Sequence, residues 1–369
     1  MFDGTELAQL AQNQHAVLDR LSKIEDVLCS RFYDMQSVIR GLVLAAATRE
    51  PMLLVGPPGT GKSLLIRAFS ELLGAPPAAL AEADQPYYFE YLLTPFTEPG
   101  ELFGYYDIRA FMQGGSARQV EGAAAQLTRM DTGMLQGAGV VYLDEVFNGS
   151  SAILNSLLAF TNERKFHDRG TLVEAQWQCI FAATNDIPET AELRAIYDRF
   201  TLRQRVTNVV VDRPEQLKPR LRDFLTKAWT ETYADGSAAA APARGRRRPE
   251  GLVNALQKFR EAFQSRVSAE KGLRPLANDP FVDRIAYLAH QAQQLGLAEM
   301  SNRRLVRAVR LMVVHRVYRA VRDKEVAAQQ TTLPKLSLGA PELLLIPDYL
   351  LDRHDAVVVE KLRTSARQA

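Results

Sequence analysis

The fold of this chain is decided by one stretch, Gly56-Pro57-Pro58-Gly59-Thr60-Gly61-Lys62-Ser63, which fits the pattern G-x-x-x-x-G-K-[ST]. An apolar run at 52–55 precedes it and a helix-like stretch at 64–73 follows it. A glycine-rich turn between a strand and a helix directs backbone N–H groups into one concavity, where the helix N-terminus adds partial positive charge. An ordinary Gly-Pro turn is the alternative, but both flanks favour a loop that binds nucleotide phosphates.

Two side chains of this loop have predicted chemical roles. Lys62 would reach the outer phosphates of a nucleotide, and the Ser63 hydroxyl would ligate Mg²⁺. The stretch 56–63 is therefore predicted to bind ATP with magnesium.

The composition is that of a globular protein with more than one domain. The chain has 369 residues, of which 47% are hydrophobic and 24% are charged, and a domain takes roughly 100–200 residues. The net charge of +2 arises from 45 basic and 43 acidic side chains. Such a balance provides no overall attraction to DNA or anionic lipid, so any polyanion would have to bind locally.

The chain lacks the features of secreted, zinc-binding and membrane proteins. Its two cysteines, Cys29 and Cys179, cannot form a disulfide framework or a zinc cluster, and its five histidines are too scattered for a metal motif. The acidic start at 1–6 does not resemble a signal peptide, and no apolar run approaches the roughly 20 residues that span a bilayer. We therefore expect a cytoplasmic protein without membrane insertion.

A second apolar run, at 139–143, predicts a buried strand that ends in Asp144 and Glu145. In open α/β sheets, ligands lie beyond the carboxyl ends of the strands, so both carboxylates would face the phosphate loop. Asp144 would hold Mg²⁺ directly or through water, and Glu145 would polarise the water that attacks the γ-phosphate. An Asp-Glu pair that merely caps a strand is the alternative.

A further predicted strand, 179–184, ends in Asn185. A neutral amide there can orient the attacking water or contact the γ-phosphate. Taken alone, Asn185 could equally be a turn former, but the hairpin predicted just before it, at about 164–178, favours the functional interpretation.

The regions outside these strands predict an insertion and a helical domain. Residues 94–139 form a long glycine-rich insertion whose aromatic step, 103–106, either faces a substrate channel or packs beneath the loop. An α/β core is predicted for 1–212 and a helical lid domain for 213–369. The lid would hold helices at 252–267, 279–295 and 301–321, an Ala/Arg-rich connector at about 234–249 and a C-terminal extension at about 331–369.

This order of segments resembles AAA+ ATPases, and within them the MoxR family. The matching motifs are Glu-Leu-Phe-Gly at 101–104, Asp144-Glu145, Asn-Ser-Leu-Leu at 155–158, Asn-Glu-Arg at 162–164 and Tyr-Asp-Arg-Phe at 197–200. Gly61 stands where many MoxR proteins have alanine, and the segments 89–94 and 342–348 look closest to the RavA branch. The resemblance covers about residues 10–352 and is weaker between 234 and 249. It implies a P-loop AAA+ core, with a parallel sheet flanked by helices, followed by an all-α lid.

The resemblance also implies a ring, usually of six subunits, with ATP held between neighbours. An arginine of one subunit would complete the site of the next; Arg199 is the first candidate and Arg194 the alternative. The helix start 301–304 resembles the second sensor of the family. There Arg303, with Arg304 as the alternative, would contact the γ-phosphate of its own subunit.

Three functions remain open on these grounds. The first is a MoxR-type ATPase that remodels, activates or matures a client protein with a separate von Willebrand factor A domain partner, since this chain has no Asp-x-Ser-x-Ser motif. The second is a nucleic-acid motor or clamp loader, motivated by the hairpin and the arginine run 244–248, although no aromatics interleave with those arginines. The third is a nucleotide-gated scaffold with negligible turnover.

Overall fold

The computed structural model describes residues 3–82, 85–107, 129–168, 171–188, 190–207, 221–229, 251–268, 273 and 279–368. Five parallel strands form one sheet in the order β2-β3-β6-β1-β7. The strands are β1 Met52–Val55, β2 Tyr88–Leu92, β3 Val140–Asp144, β6 Cys179–Thr184 and β7 Leu202–Arg205. A separate antiparallel hairpin consists of β4 Lys165–Asp168 and β5 Thr171–Glu174.

The sheet confirms the predicted parallel architecture. Every residue of β1 and β6 is buried, which explains why these strands read as uninterrupted apolar runs: helices cover both faces of a parallel sheet. In the register, Val55 pairs with Thr184, and Leu92 pairs with Asp144. The carboxyl ends of β1, β3 and β6 therefore meet at one edge of the sheet.

Helices surround the sheet and form most of the C-terminal half. They are α1 Gly4–Asn13, α2 His15–Arg31, α3 Gln36–Thr48, α4 Lys62–Leu73, α5 Pro99–Phe103, α6 Ser151–Asn162, α7 Ala191–Tyr197, α8 Leu252–Ser268, α9 Pro280–Gln294, α10 Asn302–Arg322, α11 Ala340–Leu343, α12 Leu345–Tyr349 and α13 Ala356–Gln368. Residues 221–229 are helical as well. The three helices predicted for the C-terminal half correspond to α8, α9 and α10.

Two apolar clusters lie on opposite faces of the sheet. One lies beneath α5, α6 and the hairpin. The other joins α1–α4 to α8–α13 without a break, and α10 packs directly against α1, α2 and α3. The N-terminal helices and the C-terminal helices thus share one core, and the domain boundary predicted at 212 stays a prediction.

The predicted hairpin and aromatic step are both present. The backbone N–H of Ala175 donates to the carbonyl oxygen of Arg164 at 2.7 Å and closes the base of the hairpin. Phe103 is buried and stacks on Phe166 with ring centroids 5.7 Å apart, whereas Tyr105 is half exposed. The first ring of the aromatic step therefore packs beneath the loop.

The connector 234–249, with its arginine run, lies outside the described residues.

No helix in the described part of the chain combines the length and apolar character that a membrane crossing needs.

Gly56 shows how tightly the loop packs on the end of β7. Its N–H donates to the Thr184 carbonyl at 3.0 Å, and a Cβ at this position would overlap the carbonyl oxygen of Val206. Gly56→Ala is therefore expected to lower the free energy of unfolding by about 1–3 kcal/mol, measured by urea denaturation. In the control Gly251→Ala, the added Cβ would lie 3.7 Å from its nearest neighbour, so its stability should change by less than about 0.5 kcal/mol. Equal unfolding midpoints for the two variants would contradict this account.

Candidate nucleotide site

The loop 56–63 connects β1 to α4 and has the backbone of a phosphate-binding turn. Gly59 and Gly61 have φ angles of 79° and 81°, a left-handed conformation that glycine adopts without steric cost. Helix α4 begins directly at Lys62, so the N–H groups of its first turn have no partner within the helix. These donors and the helix dipole suit an anionic ligand.

Lys62 is held inside the loop. Its side chain is buried, and Nζ donates to the carbonyl oxygens of Gly56 at 2.6 Å and Pro57 at 3.0 Å. Burial lowers the pKa of Lys62, and the charges of Asp144 and Glu145 partly offset that effect. The ammonium group thus contacts the loop carbonyls and lies near enough to both carboxylates for their charges to act on it.

Ser63 and Asp144 meet at the carboxyl edge of the sheet. Ser63 Oγ donates to Asp144 Oδ2 at 3.4 Å and lies 3.2 Å from the hydroxyl of Tyr142. A hydroxyl and a carboxylate oxygen fit Mg²⁺, which usually takes one or two protein ligands and completes its shell with phosphates and water. Within the described residues no cluster of three or more His, Cys, Asp or Glu side chains could hold a metal ion.

Tyr142 is a site residue that sequence reasoning missed. It is fully buried in β3, and burial strongly raises its pKa, so the hydroxyl is neutral and orients Ser63 by hydrogen bonding. Its position two residues before Asp144 on the same face of the strand could have indicated this contact.

Glu145 has a strained backbone. Its φ and ψ angles are 49° and 47°, a left-handed conformation that is unfavourable for a residue with a side chain. Its N–H donates to Asp144 Oδ1 at 3.0 Å, and the backbone N–H of Asn185 donates to its carboxylate. Burial, followed by the charge of Asp144, raises the pKa of Glu145. A carboxyl group with a raised pKa is a better proton acceptor for water.

Asn185 lies directly after β6, beside the start of the phosphate loop. Its Oδ1 is buried and has no hydrogen-bond partner in the described part of the chain. Because buried polar atoms are nearly always satisfied, such an acceptor indicates a bound molecule, and a water between Asn185 and Glu145 would satisfy it. The five predicted residues Lys62, Ser63, Asp144, Glu145 and Asn185 therefore converge.

Arg199 lies at the opposite edge of the sheet. It precedes β7, whose first residue Leu202 pairs with Met52 at the start of β1. Since β1 has four residues and a strand rises about 3.3 Å per residue, more than 10 Å separates this edge from the phosphate loop. Arg199 Nε is buried and has no hydrogen-bond partner among the described atoms. Burial lowers the pKa of Arg199, and the charges of Arg303 and Arg307 lower it further.

The two arginines at the start of α10 have different environments. Arg304 is buried and donates to Glu299 O at 2.7 Å and to Asp352 Oδ1 at 2.8 Å; its predicted role as the alternative second sensor stays a prediction. Arg303 is exposed, and its charge acts on Arg199 rather than on the phosphate loop. The predicted contact of Arg303 with the γ-phosphate of its own subunit stays a prediction, and the structure groups this side chain with Arg199.

A buried ion network fixes the segment that carries Arg199. Asp352 accepts hydrogen bonds from Arg203 and Arg304 and also from the backbone N–H of Glu299 at 2.8 Å. Asp198, next to Arg199, pairs with Arg203 at 3.4 Å and with Arg304 at 3.5 Å. The C-terminal segment thus fixes the position of Arg199 indirectly, through Asp352. The contact of Arg203 with Asp352 spans more than 140 residues, and no local pattern indicated it.

The alternative candidate, Arg194, is exposed on α7.

A parallel sheet with the phosphate loop after β1, acidic residues after β3 and a polar amide after β6 defines a P-loop ATPase domain of the AAA+ type. The family model for the MoxR domain in the MoxR-vWA-beta-propeller ternary systems matches residues 19–239, more than half of the chain. The chain belongs to the MoxR family of AAA+ ATPases. Its assignment to the RavA branch stays a prediction.

The chain is also similar to two curated relatives and to a solved structure. Two uncharacterized proteins of Methanocaldococcus jannaschii are 32% identical over 208 residues and 33% identical over 193 residues, covering 54% and 52% of this chain. The chain spans about half the length of these curated relatives, 50% and 45%. A crystal structure of a candidate ATPase from Cytophaga hutchinsonii matches 97% of both chains with a TM-score of 0.57 and 13% identity, and it shows the fold alone.

Proposed function

We propose that this protein hydrolyses ATP with Mg²⁺ in an oligomeric ring and uses the free energy to remodel or activate a client protein. The observation that carries the proposal is the convergence of Lys62, Ser63, Asp144, Glu145 and Asn185 at one edge of the sheet. Groups that bind phosphate, bind magnesium and polarise water are the three components that ATP hydrolysis requires.

Each side chain has a role that follows from its position. Lys62 would transfer its hydrogen bonds from the loop carbonyls to phosphate oxygens, and Ser63 and Asp144 would hold Mg²⁺, which neutralises developing negative charge when bound. Glu145 would accept a proton from the attacking water, and Asn185 would orient that water through its buried Oδ1. The strained backbone of Glu145 would keep its carboxylate away from Asp144 and directed at the water.

The ring is proposed from the position of Arg199. A catalytic arginine at the opposite edge of the sheet cannot reach the site of its own subunit, but it can reach the nucleotide of a neighbour stacked edge to edge. Arg303 lies on the same edge and would approach the same neighbour. A homo-hexamer is the expected assembly from the family resemblance.

The partner is proposed from the description of the matching family model. That model represents MoxR domains of systems that contain vWA and beta-propeller components, and this chain has no vWA metal motif. We therefore propose a separate von Willebrand factor A domain partner. For the nucleic-acid alternative, the hairpin is present, but the arginine run at 244–248 lies outside the described residues and adds no support.

Lys62→Ala tests the nucleotide site directly. It removes a charge-assisted hydrogen bond worth about 1.5–3 kcal/mol, so ATP affinity should fall roughly 10- to 100-fold and turnover should be lost. Binding of a fluorescent ATP analogue and phosphate release would measure both effects. Lys23→Ala is the control, because Lys23 is 72% exposed on α2 and pairs only with Asp19 among the described contacts. Unchanged ATP affinity in Lys62→Ala would overturn the proposed site.

A further inference from the structure

Two arginines lie over the ring of a buried tryptophan at the amino edge of the sheet. The guanidinium carbons of Arg49 and Arg164 lie 4.9 Å and 5.5 Å from the ring centroid of Trp177. Both arginines have left-handed backbones, with φ angles of 57° and 55°. Each left-handed backbone is energetically unfavourable and persists only because the surrounding structure holds it in place. Such strained residues are concentrated at functional sites.

Three more arginines complete a cluster with a surplus of positive charge. Arg307 and Arg310, which lie on α10, pair with Glu50 at 3.5 Å and 3.6 Å. Arg260 lies behind them and donates to the carbonyl oxygens of Ala46 and Gln178 at 3.1 Å. Glu50 thus pairs with two members of a group of five arginines, and Glu261 acts on a third, Arg260. The charges of the five act on one another: Arg49, Arg164, Arg260, Arg307 and Arg310.

The cluster contains hydrogen-bond donors that the described residues do not satisfy. The Arg164 side chain lies over Trp177 and makes no hydrogen bond or ion pair within the described part of the chain, and Arg310 Nε is buried without a partner there. Burial lowers the pKa of Arg164, the charges of Arg310 and Arg307 lower it further, and Glu50 partly offsets them. Because arginine stays protonated in proteins, the shift reflects first the free-energy cost of burying the charge and then the repulsion between neighbouring arginines.

The cluster is open to solvent at one side. The side chains of Arg307 and Arg310 are 25% and 31% exposed, and Arg49 and Arg164 are half-buried. Solvent therefore reaches the rim of the cluster, whereas Arg310 Nε lies beneath it. The planar guanidinium fork suits the oxygens of phosphate or carboxylate, which accept two parallel hydrogen bonds.

We propose that Arg164, Arg310 and Arg49 form a binding site for an oxyanion, separate from the nucleotide site and at the opposite edge of the sheet. The ligand is a phosphate or carboxylate group, supplied either as free inorganic phosphate or by an acidic side chain of a second copy of this chain. The bound anion links the base of the hairpin, through Arg164, to α3 and α10. It thereby neutralises the charge surplus that Glu50 alone leaves.

The first arm of the test measures free phosphate. Since the phosphate loop also binds phosphate, thermal unfolding is followed in a Lys62→Ala background, in sodium phosphate and in sodium chloride at equal ionic strength. Phosphate should raise Tm over chloride. Adding Arg164→Ala or Arg310→Gln should remove that rise, whereas adding Arg284→Ala, an exposed arginine on α9, should leave it intact. The chloride scans show whether each variant folds.

The second arm measures a carboxylate from a second copy. If phosphate gives no specific rise, Arg164→Ala in the otherwise native chain should still weaken self-association by sedimentation velocity, and Arg284→Ala should not. Either positive arm supports the site and identifies its ligand source. A phosphate effect that is equal in Arg164→Ala and its parent, or no phosphate effect together with unchanged self-association, overturns the proposal.

Discussion

Arg199→Ala is expected to reduce the ATPase turnover of the assembled protein by about 10³-fold or more, the usual contribution of an arginine supplied to a phosphoryl-transfer site. Affinity for ATP should change little, because Arg199 lies at the amino edge of its own sheet and far from its own phosphate loop. Turnover is measured by phosphate release, and affinity by a fluorescent nucleotide. Arg194→Ala, which alters an exposed arginine on the adjacent helix, is the matched control and should retain activity.

A mixing experiment distinguishes action between subunits from action within one subunit. Arg199→Ala subunits keep an intact Glu145, and Glu145→Gln subunits keep an intact Arg199. If Arg199 acts on the neighbour, mixed assemblies contain some complete sites, and their turnover should exceed the sum of the two separate variants. No gain on mixing, with co-assembly shown by sedimentation, would place Arg199 in the site of its own subunit and contradict the proposed arrangement.

Glu145→Gln is expected to lower turnover by about 10²–10⁴-fold while ATP binding persists, because the amide keeps the shape of the side chain but cannot accept a proton. The pH dependence should change too. Burial and Asp144 raise the pKa of Glu145, so turnover of the native protein should fall, as pH decreases, already above the ordinary glutamate range. The variant should lack that decline.

The control for Glu145→Gln is Glu71→Gln, which changes an exposed carboxylate on α4 and should keep both turnover and its pH profile. Native turnover in Glu145→Gln would exclude this residue as the base. The same variant tests the proposed partner, because an assembly that binds ATP without hydrolysing it should retain a von Willebrand factor A domain protein in a pull-down. Equal recovery without ATP would contradict nucleotide-coupled binding.

The candidate nucleotide site at the carboxyl edge of the sheet was predictable because short, local sequence motifs specify its residues. The stretch 56–63, the pair Asp144-Glu145 and the residue Asn185 each follow directly after an apolar run, and strands of a parallel sheet all end at the same edge. Once the runs at β1, β3 and β6 are recognised, the proximity of their following residues needs no further contact information. The structure confirms these strands and brings their terminal residues together.

The arrangement of the arginines at the amino edge of the sheet was not predictable in the same way. Spacing alone could not show that Arg304 is buried against Asp352 while Arg303 is exposed, since adjacent helical residues differ only in the direction of their side chains. The contact of Ser63 with Tyr142 and the contact of Arg49 with Trp177 join elements far apart in the chain. Contacts of that kind depend on how helices pack, which sequence patterns describe only weakly.

The sequence by itself determined that this protein has a P-loop core with a nucleotide site at the carboxyl edge of its sheet, because a turn, a strand end and a charge pair are local features of the chain. Only the tertiary structure decided that the N-terminal and C-terminal helices share one core, that Arg303 lies with Arg199, and that Arg307 and Arg310 of α10 pair with Glu50. The physical reason is that packing of distant apolar faces sets these positions, and no single segment contains that information.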